Sequence, residues 1–140
     1  MVEELHSYSL SDVSDLDCLM HELSPTSYCN EAILDAILAD NNAHAYVIRE
    51  DDHIIGAGCL CVMHTLEFTI ANIESIVVSS CYRGKGHGKE LVDRFIEEAR
   101  RIGVHSIHLT SNPKRIAANN LYKKSGFVKY DTNCYYFEIK

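Results

Sequence analysis

The 140-residue chain predicts an α+β fold, a single mixed and mostly antiparallel sheet with helices on both faces. Three observations carry this reading. Short apolar runs and longer amphipathic runs interleave in the order β-α-α-β-β-β-α-β-α-β-β. At 46% hydrophobic and 24% charged residues, the composition is ordinary for a globular chain long enough to build one core. There are no internal repeats, low-complexity tracts or linkers, and Pro25 and Pro113 both fall between elements. Residues 1–140 therefore read as one domain.

A short strand is expected near Leu5–Ser9, followed by Ser11 as the cap of a helix carrying Val13, Leu16, Leu19, Met20 and Leu23. After the loop Ser24–Cys29, Asn30 caps a helix over Glu31–Ala39 with Ile33, Leu34, Ile37 and Leu38. The charged turn Glu50-Asp51-Asp52-His53 separates strands Ala43–Arg49 and Ile54–Met63, an antiparallel hairpin. Next come the strand Ala71–Val78, a glycine-rich loop and a helix over Lys89–Ile102. That helix has one apolar face, Leu91, Val92, Phe95, Ile96, Ala99 and Ile102, and Gly103 supplies its left-handed stop. Ser106–Thr110 reads as a strand and Arg115–Lys124 as a helix stopped near Gly126. Phe127–Tyr130 and Cys134–Ile139 read as closing strands.

Charge and composition exclude several functions. A net charge of −7 offers no basic face for nucleic acid. No apolar run approaches the ~20 residues of a membrane span. The amino terminus Met1-Val2-Glu3-Glu4 is acidic where a signal peptide is basic, so a cytoplasmic location without membrane contact is expected. The six cysteines are scattered and read as free thiols. Cys59, Cys61 and His64 have no second Cys/His pair at ligand spacing, so no metal is expected.

The chemistry concentrates in one loop. Strand Ile76-Val77-Val78 leads into Arg83-Gly84-Lys85-Gly86-His87-Gly88 and then into the helix. Glycines let backbone approach an anion, and the first N–H groups of the helix lack intrahelical partners. Arg83, Lys85 and Lys89 add positive charge sized for one small anion. A Walker A loop is excluded because Glu90 follows Gly88-Lys89. A dinucleotide fingerprint fails because Lys89 or Leu91 occupies the third glycine position. Arg-x-x-Gly-x-Gly does fit, on Arg83, Gly86 and Gly88. A second motif follows at Ala118-Asn119-Asn120-Leu121-Tyr122-Lys123-Lys124-Ser125-Gly126-Phe127.

Both motifs, in this order and spacing, resemble the GCN5-related N-acetyltransferase superfamily, closely over Ile73–Val128. The resemblance implies an acyl-CoA N-acyltransferase fold and acetyl-CoA as co-substrate, with the loop holding its pyrophosphate. It implies a strand Glu74–Val78 that splays from its neighbour, so that backbone N–H groups of Ile76, Val77 and Val78 hold the pantetheine arm. The cofactor set is then Ile76–Val78, Arg83, Gly84, Lys85, Gly86, His87, Gly88 and Lys89, with Asn112, Arg115, Asn119, Tyr122 and Lys124. Many relatives have asparagine where this chain has Arg115, and Asn112 and Asn119 are its possible substitutes.

Tyr122 matches the family tyrosine near the sulfur and is the general-acid candidate. Its other reading is an aromatic core residue. Strand alternation puts Glu74 on the face of Ile76 and Val78, in partly apolar surroundings that suit a general base. An exposed strand carboxylate or an ammonium ligand are its other readings, and Asn72, Ser75 and His108 are secondary polar candidates. In such folds the acceptor pocket comes from the first two helices, their loop and the later strands. Here those segments carry Glu22, Tyr28, Glu67 and Tyr135, a set that suits a cationic amine. The leading function is acetyl transfer to a small-molecule primary amine by direct attack in a ternary complex. A peptide acetyltransferase and a non-catalytic acyl-CoA-binding regulator are the alternatives, and a homodimer is compatible with the family.

Overall fold

The computed structural model describes all residues, Met1–Lys140. Five strands lie in the order β1-β2-β3-β4-β5: Val2–Glu4, Ala43–Glu50, His53–His64, Thr69–Val78 and Ile107–His108. The first three pairings are antiparallel and β4–β5 is parallel. Helices α1 (Leu10–Leu23) and α2 (Glu31–Ala39) cover one face through Leu16, Leu19 and Leu34, packed on Val47, Ala57 and Val77. Helix α3 (His87–Ile102) covers the other with Leu91, Phe95 and Ala99 against Tyr46, Leu60 and Ile73. Helix α4 (Ile116–Lys124) follows β5. The mixed sheet between helices is as read from the sequence, and no helix is long and apolar enough to cross a membrane.

Local chemistry sets the element boundaries. Ser9, not Ser11, caps α1: Asp12 N–H donates to Ser9 Oγ and Ser9 N–H to Asp12 Oδ2, both at 3.1 Å. The helix therefore starts earlier, and the first strand is Val2–Glu4 rather than Leu5–Ser9. Asn30 caps α2, accepting from Ile33 N–H at 2.9 Å. The hairpin turn places Asp51 and Asp52 at φ +51° and +65°, the left-handed pair that a tight two-residue turn requires. Helix α3 starts two residues before the expected Lys89 and ends at Gly103, φ +86°.

Two expectations fail. β5 is two residues long, because β4 leaves it beyond the pairs Ala71–Ile107 and Asn72–His108. The closing strands Phe127–Tyr130 and Cys134–Ile139 do not form. An alternating sequence becomes a strand only against a partner that accepts its ladder. Here residues 128–140 make one backbone bond, Thr132 N–H to Tyr130 O, and Tyr135, Phe137 and Ile139 stay exposed.

Candidate active site

The site grows out of an irregularity in β4. Register runs Ala57–Val77 and then Cys59–Glu74, so β4 carries one more residue than β3 across this interval. Ser75 sits in that bulge at φ +57°. Gly58 lies beneath it, and a Cβ there would stand 2.8 Å from Phe95 Cζ. The missing side chain lets α3 press its phenylalanine against the bend.

The bulge also changes the parity of the strand. Ile73, Ile76 and Val78 face α3, whereas Glu74 shares the opposite face with Val77. The alternation that placed Glu74 with Ile76 and Val78 is thereby corrected. Glu74 is exposed, so the partly apolar surroundings expected of it are not there.

Beyond Asn72, the β4 edge facing β5 has no strand partner. This edge opens into a cleft of about 580 Å³ between β4, the loop after it and the amino ends of α3 and α4. Of the expected cofactor residues, Ile76, Val77, Val78, Arg83, Gly84, Gly86, His87, Gly88, Lys89, Arg115 and Tyr122 line it. Gly84 and Gly86 have φ of +78° and +87°, and nothing lies within 4 Å of where a Cβ would be. They are glycines because of conformation rather than crowding. Unlike α1 and α2, α3 has no side-chain cap, so its first N–H groups are open to the cleft.

The loop cations are not equivalent. Arg83 Nε donates to Val78 O at 3.0 Å, and its Nη2 lies 3.8 Å from Glu22 Oε1. Lys85 Nζ sits 5.3 Å from the centre of the Tyr82 ring, outside the cleft lining. Lys89 pairs with Asp93 one turn along α3. His87 Nδ1 is 3.1 Å from Glu90 Oε1.

Tyr122 is 5% exposed and reaches the cleft from α4. Burial raises the phenol above its ordinary value, while the nearby positive charge of Arg115 opposes that rise. Arg115 is the N-cap residue of α4 and lies on the same cleft wall as Tyr122. The arginine found where many relatives have asparagine thus acts on the tyrosine itself.

Other expected residues lie elsewhere. Asn112 and Asn119 brace the turn into α4: Asn112 Oδ1 accepts from Lys114 N–H at 2.9 Å, and Asn119 Nδ2 donates to Asn112 O at 3.0 Å. Lys124 is exposed in the last turn of α4. Glu22 does line the cleft, but as an acceptor from Ser80 N–H at 3.0 Å, tying α1 to the loop. Tyr28 and Tyr135 are 61% and 88% exposed and outside the lining. Sequence reasoning missed Leu23, Ile116 and Ala117 in the wall. Ile116 and Ala117 had a signal, their place beside Arg115, whereas Leu23 had none. No group of three or more His, Cys, Asp or Glu side chains is placed to hold a metal.

Over 129 residues the chain is 28% identical to the aminoalkylphosphonate N-acetyltransferase of Salmonella typhimurium, covering 89% of this chain and 84% of that one. Over 102 residues it is 30% identical to a rice protein named probable glucosamine 6-phosphate N-acetyltransferase 2, from Oryza sativa subsp. japonica. That match covers 67% of this chain and spans only 58% of the rice protein. An aminoglycoside N-acetyltransferase solved in complex with CoA superimposes with a TM-score of 0.80 at 14% identity, over 100% of both chains. The model of the acetyltransferase (GNAT) family matches residues 10–127, and the chain belongs to that family.

Proposed function

We propose that this protein is an acetyl-CoA-dependent N-acetyltransferase whose acceptor is the primary amine of a small molecule. The observation that carries the reading is one cleft that joins an uncapped helix end, an unpaired strand edge and a buried tyrosine. Those are the three things a pyrophosphate, a pantetheine arm and a leaving thiolate need.

The residues divide the work. N–H groups at the start of α3, with Arg83 beside them, bind the coenzyme's phosphates. The free β4 edge at Ile76–Val78 binds the arm and offers N–H groups to the thioester oxygen as negative charge develops there. Tyr122, kept protonated by burial, delivers a proton or hydrogen bond towards the departing sulfur. The positive charge of Arg115 partly offsets the rise that burial gives that phenol. Glu74 stands on the face of Val77, outside the cleft lining itself, and is the proposed base for the incoming ammonium.

By their names, the two sequence relatives take an aminoalkylphosphonate and glucosamine 6-phosphate, and the CoA-bound structural neighbour an aminoglycoside, which sets the panel to test. Purified protein with acetyl-CoA is offered aminoalkylphosphonates, amino-sugar phosphates, aminoglycosides, polyamines and lysine-containing peptides. Chromatographic release of CoA is expected with at least one small amine. Turnover of peptides alone would favour the peptide reading. Coenzyme binding without turnover of any acceptor would favour a regulator.

A further inference from the structure

Cys59 and Cys61 stand two residues apart on β3, so both thiols project from the sheet face that α1 and α2 cover elsewhere. Their sulfurs are 3.6 Å apart, and both residues are partly buried. The other four cysteines include Cys18, Cys81 and Cys134, which are exposed, and none of the four lies against another thiol. Across the sheet Cys59 is paired with Glu74, and Cys61 with Asn72. Nothing in the proposed acetyl transfer uses these two sulfurs.

We propose that Cys59 and Cys61 form a peroxide-sensitive dithiol that closes reversibly to a disulfide within β3. The contact splits the two thiols: Cys59 is pushed up as a donor to Cys61, which is pulled down to about 7. A thiolate at Cys61 is therefore available near neutral pH, and the thiolate is the form that attacks an oxidant. Cys61 takes the terminal oxygen of a hydroperoxide, breaking the O–O bond and leaving a sulfenic acid and one water or alcohol. The Cys59 sulfur then attacks the Cys61 sulfur. The S–S bond forms, the S–O bond breaks, and the thiol proton leaves with the hydroxyl as water. Two thiols are oxidised and one peroxide is reduced.

Strand geometry makes this bond a labile one. Residues two apart in a strand have Cα atoms about 6.6 Å apart, near the upper edge of the ~4.4–6.8 Å span of disulfides. Closing the bond must shorten β3 locally, and the register slip between Ala57 and Cys59 puts a pliable point beside it. A bond held against its preferred geometry is easily reduced, which marks a reversible site rather than a structural bridge. The shortening is felt directly by Glu74 and by the bulge that exposes the β4 edge.

The test uses the Cys81→Ser chain, in which the tryptic peptide 50–83 holds only this pair of cysteines. A modest excess of hydrogen peroxide should lower that peptide's mass by about 2 Da, before Cys18 or Cys134 is modified, and a phosphine reductant should reverse it. Adding Cys59→Ser should leave a sulfenic acid at Cys61 that a dione reagent traps. Adding Cys61→Ser should leave the peptide unreacted. If the pair stays reduced while the exposed thiols oxidise, or links only between molecules, the proposal is overturned. A second readout rests on the acetyltransferase reading: amine acetylation should fall severalfold on oxidation and recover on reduction. A full mass change with unaltered acetylation would overturn the link to Glu74 but not the dithiol. The covalent readout needs no turnover, so failure of the functional reading is told apart from failure of this one.

Discussion

At the scale of single residues, Tyr122 and Asp12 show how burial serves opposite ends. Tyr122 is buried in the cleft wall, where the Arg115 charge partly offsets the rise that burial gives its phenol. Replacing it with Phe removes one proton donor and almost no volume. Turnover should fall by about 100-fold, the low end of general-acid contributions, with the acetyl-CoA dissociation constant within about twofold. Steady-state kinetics beside calorimetric titration separates the two, and equal turnover would remove Tyr122 from the chemistry. Asp12 is 4% exposed and structural: its carboxylate accepts from Arg49 Nη1 at 2.7 Å and Nη2 at 3.0 Å while it closes the α1 capping box. The bidentate arginine holds the Asp12 carboxyl below its ordinary value, against the opposing effect of burial. Its contribution is therefore complete above the unfolded value near 4 and is lost as pH falls through the lower folded value. Asp12→Ala should cost about 2 kcal/mol near neutrality, since it removes a cap and the bidentate partner of Arg49, which is left with Glu3 alone. Urea melts from pH 7 to pH 3 should show that gap closing below about pH 4.

At the scale of elements, α3 differs from its neighbours by what it lacks. Helices α1 and α2 satisfy their first N–H groups with Ser9 and Asn30, whereas α3 begins at a left-handed glycine with no side chain to accept. An uncapped helix end forgoes about 1 kcal/mol, and a bound anion would restore it. Gly86→Ala tests this element directly. The added methyl meets nothing, so the cost is the left-handed backbone alone, about 1 kcal/mol. If the loop must hold this shape to bind, acetyl-CoA affinity should drop about tenfold while the melting temperature falls only a few degrees. Unchanged affinity would show that the turn is not part of the binding site. Of this element, the glycines and the amphipathic helix were legible because both are local. The start at His87 was not, because the sequence does not reveal which glycine turns left-handed.

At the scale of the whole molecule, the cleft exists because three separate segments converge: β4 at Ile76–Val78, the amino end of α3, and Arg115 to Tyr122 of α4. A ligand that bridges all three stabilises the fold as a unit. Acetyl-CoA at about 100 times its dissociation constant adds roughly 2.7 kcal/mol, or a rise of about 8 °C for a chain of this size. Differential scanning fluorimetry reads this, and Arg83→Ala should shrink the shift.

By itself the sequence determined the helices, the hairpin, the glycine-rich loop and the tyrosine motif. Each of these is written in neighbouring residues whose spacing and turn chemistry act over a few positions. Only the tertiary structure decided that Glu74 turns away from Ile76, that Glu22 braces the loop, that Arg115 bears on Tyr122, and that the last apolar stretch finds no ladder. Those outcomes depend on register and on contacts between distant segments. One added residue in a strand reverses every face beyond it, and no local pattern records where the partner strand will slip.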